Sequence, residues 1–334
     1  MTSRTPRGGS LSLAGCFFSA ARPSRSLPFV AVLTALLLLS DSAGAQQKKP
    51  VVKKVENRVL NTPDGWQIHI TYFKSLVGKE APVVLLLHQR GGNRLVWNRF
   101  AKVLQSVGYA VVTVDMRKHG QSKGFAAGSP AKQKSKKGAG PNDLRPGDYK
   151  AMVLFDLETV KAFLLSEHNQ EHLNVRKLGI VAPGMSAPIA IAFTATDWAK
   201  KPYDDAPTLA ARTPRGQDVR ALVLISPVEN LPGFRVGRSL RALGSPAFGI
   251  AALVAYGTKD RRDKGAARRM YQKLIGRAGN KQRMYLDRFK TSLSGTDMLN
   301  RNTGIERHML NFFDKHLKRL NSPWRTRKSR LASD

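Results

Sequence analysis

The chain has 334 residues, 56 of them Lys or Arg against 23 Asp or Glu, which gives a formal charge of +33 with the histidines neutral. An apolar content of 42% is too high for a disordered polyelectrolyte, while the charge excess implies attraction to polyanions and says nothing about fold. The only cysteine, Cys16, excludes an intrachain disulfide and a cysteine-rich metal site.

Residues 1–45 read as a signal peptide. Arg4, Arg7, Arg22 and Arg25 precede the apolar run Leu27 to Leu39, and Ala43, Gly44 and Ala45 offer small residues for cleavage. The run is shorter than the roughly 20 residues a membrane-spanning helix needs, so export to the periplasm or the extracellular space is expected, with an uncleaved membrane tether as the alternative. Processing would remove Cys16 and leave a charge of +30, since only four arginines and Asp41 depart. Residues 46–58 form a basic N-terminal segment.

Beyond it, short apolar runs alternate with helical patterns, which predicts a single α/β domain over residues 59–320 with a mainly parallel sheet flanked by helices. Trp66, Ile68, Ile70 and Tyr72 alternate as in a half-buried strand. Val83 to Leu87, Tyr109 to Val114, Leu178 to Val181, Ala221 to Ile225 and Ile250 to Ala255 are continuous apolar runs, as in strands covered on both faces. Val153, Leu157, Val160 and Leu164 recur at helical spacing, as do Ile305, Met309, Phe312 and Phe313. Residues 123–147, with Lys132, Lys134, Lys136 and Lys137, read as a mobile loop, and residues 199–218 as a polar insertion. Residues 321–334 read as a disordered basic tail that carries charge and little burial.

Several segments together resemble landmarks of the α/β-hydrolase superfamily between about Val59 and Leu320. His88, Gln89, Arg90, Gly91 and Gly92 follow a strand and are similar to the His-Gly loop that lends a backbone N–H to the oxyanion hole, with Gln89 where a glycine is usual. Asp115 to Ser122 resembles the Asp-x-Arg-Gly-His-Gly-x-Ser turn, with Lys118 replacing a glycine; that turn is structural in the family, so His119 and Ser122 inherit no catalytic role.

The segment Ala182, Pro183, Gly184, Met185 and Ser186 stands where the family carries Gly-x-Ser-x-Gly, the tight strand-to-helix turn that presents the nucleophile. The alignment puts Gly184 on the nucleophile and Met185 on the second oxyanion-hole N–H. A register two residues later would promote Ser186 instead, at the cost of moving the nucleophile into the helix. The resemblance makes Asp260, after Gly257, the triad acid and puts Ser294 in place of the triad histidine. Asp260 also suits a turn or a helix cap.

His168 and His172, four apart, could suit a metal but read better as a solvated helix end, and His316 shares a face with Ile305 and Phe312, as a packed histidine would. No phosphate-cradling glycine loop or nucleotide fingerprint is present, and neither a cofactor nor a metal is expected.

Three functions remain open on this reading. The first is a pseudo-hydrolase that binds an unknown ligand in its emptied cleft. The second is an esterase-like or peptidase-like hydrolase with a displaced nucleophile such as Ser186. The third is a basic protein that binds an anionic glycan, a membrane surface or another polyanion, without a specific nucleic-acid motif.

Overall fold

The computed structural model describes residues 54–126, 143–276 and 281–331. The expected signal peptide, most of the basic N-terminal segment and the lysines 132–137 lie outside them.

The first strand, β1 (Val55–Asn61), pairs antiparallel with β2 (Gln67–Phe73), so folded structure begins ahead of the expected boundary at residue 59. The reason it escapes a periodicity reading is its position at the sheet edge. Val55 and Val59 are exposed there, and Leu60 is the strand's one apolar residue packed, half-buried, against the core.

The five apolar runs become β3 (Pro82–Leu86), β4 (Ala110–Val114), β5 (Asn174–Pro183), β6 (Val219–Ile225) and, after the two-residue hairpin strands β7 (Asn230–Leu231) and β8 (Phe234–Arg235), β9 (Ala251–Gly257). A last strand, β10 (Met284–Phe289), has only partial burial along its middle, which is why no apolar run announces it. The eight-stranded sheet has the order β1-β2-β4-β3-β5-β6-β9-β10 and is parallel from β4 through β10.

Alternate residues of the central strands feed two cores. Val83, Leu85 and Leu87 face one layer, and Val84 and Leu86 face the other. The first layer contains α2 (Pro146–Ala151), α3 (Leu157–Asn169), α4 (Ser186–Ala199), α5 (Gly237–Leu243) and α6 (Ala266–Ile275). The second contains α1 (Asn98–Ser106) and α7 (Ile305–Phe313). Each of the eight residues read as helical stripes is buried, Val153 at the wide turn joining α2 to α3 and the rest on α3 and α7. This is one predominantly parallel sheet with helices on both faces.

Residues 321–331 depart from the expected disordered tail. They lie as a strap across the N-terminal end of β5 and the C-terminal end of α3. The Trp324 N–H donates to Glu80 and its indole N–H to the His168 carbonyl, both at 2.9 Å. Arg327, 6% exposed, donates to the carbonyls of Pro214 and Gly216 and pairs with Asp218. Asp218 also meets Lys161 of α3 at 2.8 Å, and Lys161 pairs with Asp197 of α4. Of the basic residues that suggested disorder, Arg327 is taken up by a buried carboxylate that a linear reading cannot place beside it.

The candidate active-site cleft

β3 runs out into the loop His88–Gly92, and β4 into the turn Asp115–Ser122. The two are knitted by imidazoles. His88 Nε2 accepts the Met116 N–H at 3.0 Å while Nδ1 donates to the Gln89 carbonyl at 2.8 Å, and burial pushes this ring down to about 4. The His119 ring lies 4.9 Å from it, donates through Nδ1 to the Arg117 carbonyl and is likewise lowered by burial. Two neutral rings therefore serve as spacers.

Asp115 accepts the backbone N–H groups of Arg94 and Gln121 and the Arg94 guanidinium, and Ser122 Oγ accepts the His69 N–H at 2.8 Å. Lys118 takes the left-handed conformation that a glycine would otherwise supply, with φ of 66°, and its ammonium meets Asp148 at 2.8 Å.

At the end of β5 the chain turns sharply into α4. Gly184 has φ of 53°, its N–H donates to the Ile225 carbonyl at 2.9 Å, and its carbonyl accepts from Val228. Such a turn holds residue 184 at the C-terminal edge of the sheet, the place a hydrolase needs for its nucleophile, and here it holds no side chain. The backbone N–H groups of Gln89 and Met185 have no acceptor among the described residues, so two donors remain free next to the elbow.

Ser186 is 0% exposed and its hydroxyl donates to the His88 carbonyl. It fastens the turn at Gly184 to the His88–Gly92 loop from behind.

After β9, Asp260 sits in a turn in which Oδ1 accepts the Arg262 N–H at 2.9 Å, while the buried Oδ2 has no hydrogen-bond partner. A buried carboxylate oxygen without a donor is an exception in a folded protein. Ser294 follows β10 and lines the same cleft as Gly184.

Between them lies the side chain of Gln89. Its Oε1 accepts the Thr296 N–H at 3.1 Å and its Nε2 donates to Asp297 at 3.2 Å. A Cβ on Gly184 would come 3.4 Å from Gln89 Cβ, and a Cβ on Gly295, whose φ is 56°, would fall 1.9 Å from Gln89 Oε1. Gln89 thus spans the gap from the elbow to the loop at the histidine position. Sequence reading assigned this residue only a backbone N–H, although its replacement of a small glycine is the signal that the side chain fills space.

The cleft has a volume of about 630 Å³. Arg90, Arg262, Lys264 and Arg269 line it, opposed by Glu229 and Asp263. Glu229 is held below its ordinary value by hydrogen bonds from Lys273 and Arg269, and Asp263 caps the start of α6 through the Gly265 and Ala267 N–H groups. Glu229 is thereby balanced by Lys273 and Arg269, while Arg90 and Lys264 have no carboxylate within salt-bridge distance among the described residues. Arg90 donates to the Tyr149 hydroxyl, and Arg262 bridges Asp260 and Asp297 at 3.5 Å each. Ser226, 7% exposed with φ of 42°, closes the floor with a buried hydroxyl that has no partner.

The other histidines lie elsewhere. His168 is buried, not solvated as its neighbourhood of polar residues suggested. Its Nε2 donates to the Arg325 carbonyl at 2.8 Å and its Nδ1 accepts the Val175 N–H. His172 pairs with Glu167. His316 packs 5.0 Å from the Phe312 ring, meets the Tyr285 hydroxyl at 3.0 Å and is pushed down to about 4 by burial. Among the described residues no cluster of three or more His, Cys, Asp or Glu could hold a metal, and no helix is long and apolar enough to cross a membrane.

No protein-family model and no curated protein matches the sequence. Solved structures do match the fold. A dienelactone hydrolase from Anabaena variabilis aligns with a TM-score of 0.51 at 15% identity, covering 79% of this chain and 99% of its own. A thermostable carboxyl esterase from Bacillus coagulans gives 0.52 at 10% identity over 79% and 99% of the two chains. The esterase Pf2001 of Pyrococcus furiosus gives 0.50 at 13% over 79% and 90%.

Proposed function

Starting from the α/β-hydrolase fold that the chain shares with these enzymes, we propose that this protein is exported and acts by binding a ligand with an anionic group in the cleft above Gly184, without turning it over. The observation that carries the reading is the Gln89 bridge. It fills the interval between elbow and histidine loop where a Ser–His contact would have to form, and Gly184 supplies no hydroxyl there and Ser294 no imidazole. The free N–H groups of Gln89 and Met185 and the cations Arg90 and Lys264 are donors suited to a carboxylate or similar group. Residues 1–45, with their basic start, short apolar run and small residues at the end, support export.

Nothing around Ser186 favours the displaced-nucleophile alternative. Its hydroxyl is committed to a backbone carbonyl, and the nearby His88 has both ring nitrogens engaged. The test is labelling with a fluorophosphonate probe and turnover of activated short-chain esters near neutral pH. The protein is expected to match a Gly184→Ala control in both assays, whereas labelling removed by Ser186→Ala would overturn the reading.

A further inference from the structure

A second charged concavity lies at the other end of the sheet. The strap of residues 321–331 and the insertion after α4 enclose a groove of about 410 Å³ lined by Arg176, Arg212, Arg325, Arg327, Lys328 and Arg330. Arg176 belongs to the N-terminal part of β5, whereas Gly184 follows its C-terminal end. Eight residues of extended chain separate the two sites by about 25 Å, too far for one small ligand to touch both.

The charges in this groove are unevenly compensated. Arg212 has exposed Asp204, and Arg327 has Asp218, a carboxylate already shared with Lys161. Asp205 receives the backbone N–H groups of Thr213 and Arg330. Arg176, Arg325 and Lys328 have no carboxylate within salt-bridge distance among the described residues; Arg176 donates instead to the Pro323 carbonyl.

Behind the groove, Arg220 stacks 4.8 Å over the Trp198 ring with its buried Nε unpartnered. Burial, followed by the charges of Arg325 and Arg327, lowers Arg176 from its ordinary value. Like charges gathered at a partly buried site oppose one another, and a ligand of opposite sign relieves that repulsion while satisfying the guanidinium forks.

We propose that this groove is a binding site for a small multiply charged oxyanion, a ligand presenting two or more phosphoryl or sulfuryl groups. At least three cations without acidic partners exceed what a singly charged anion balances, and planar guanidinium groups match the paired oxygens of such groups. The volume suits a short segment and not a globular partner. The site is independent of the cleft and stands whether or not the cleft binds anything.

The test is titration calorimetry of the purified protein at fixed ionic strength with tripolyphosphate, a heparin-derived sulfated tetrasaccharide and orthophosphate. At least one of the first two is expected to bind about tenfold or more tightly than orthophosphate, and which one identifies the phosphoryl or the sulfuryl source. The double variant Arg325→Gln/Lys328→Gln, which removes two cations without ion pairs, is expected to lose about tenfold or more in affinity while its unliganded melting temperature stays that of the parent. A Lys102→Gln/Lys290→Gln variant, which removes two exposed cations that line neither concavity, is the comparison and is expected to bind as the parent does. Binding that survives the strap variant undiminished, an equal loss in the comparison variant, or no heat with any polyvalent probe would each overturn the proposal.

Discussion

Replacing Arg327 with Met should unfold this protein more readily than any comparable change on its surface. Four side chains meet beneath the strap: Lys161 and Arg327 are each 2% exposed, Asp197 is fully buried and Asp218 is 1% exposed. Two positive and two negative charges cancel, and Asp197 also accepts the Asp218 N–H at 2.8 Å. Without Arg327, Lys161 alone faces two buried carboxylates, and the Pro214 and Gly216 carbonyls lose a donor. Breaking one partner out of a buried ionic group costs about 3–5 kcal/mol. For a domain of this size, that corresponds to a melting temperature lower by roughly 6–20 °C.

The same reasoning says that charge balance, more than the number of contacts, sets the penalty. Asp218→Asn added to Arg327→Met should therefore recover part of the loss, because Lys161 and Asp197 then remain as a neutral pair. Urea unfolding of the parent, both single variants and the double variant measures the coupling. A single Arg327→Met loss below about 1 kcal/mol, the size of an exposed pair, would refute the idea that the network is desolvated and unscreened. Simple additivity in the double variant would refute the balance argument.

Other outcomes are equally specific. The double variant Gly184→Ser/Ser294→His is expected to remain unlabelled by fluorophosphonate, and labelling should appear only when Gln89→Gly clears the gap; labelling of the double variant by itself would show that Gln89 obstructs nothing. Gly295→Ala should cost about 2 kcal/mol or more, from a strained φ and the contact with Gln89 Oε1, and Gln89→Ala should return the contact share but not the backbone share, as read by thermal melts of the three variants.

Stability should also fall as the pH drops from about 6.5 toward 4. His88 and His316 are each held at about 4 in the fold against 6.5 when exposed, so in that window the unfolded chain takes up protons that the folded one refuses. His316→Gln should flatten the decline in urea midpoint across that range, and an unchanged slope would rule His316 out as a contributor.

The fold was largely legible because the central strands are buried on both faces and announce themselves as runs. β1 and β10 were not, since edge strands owe their register to a neighbour and not to their own pattern. At the cleft, motif order was enough to bring residues 184 and 294 to one place, because the turns after β5 and β10 follow from the sheet. What could not be read was any side chain whose role depends on a distant partner. Gln89 reaches across 207 residues to Thr296, and Arg327 across 109 to Asp218. His168 looked solvated beside Glu167, Asn169, Gln170 and Glu171, yet the strap that buries it comes from the far end of the chain.

The position of Arg327 also bears on when the molecule can finish folding. Lys161, Asp197 and Asp218 all precede Arg327 in the chain, the nearest of them by 109 residues. Until it docks, Lys161 alone faces the two carboxylates, although domains usually begin to organise from their N-terminal part during synthesis. Completion of the buried network thereby waits on a residue 109 positions beyond the nearest of its partners, and slowed closure of this layer in an Arg327 variant would be the kinetic trace of that order.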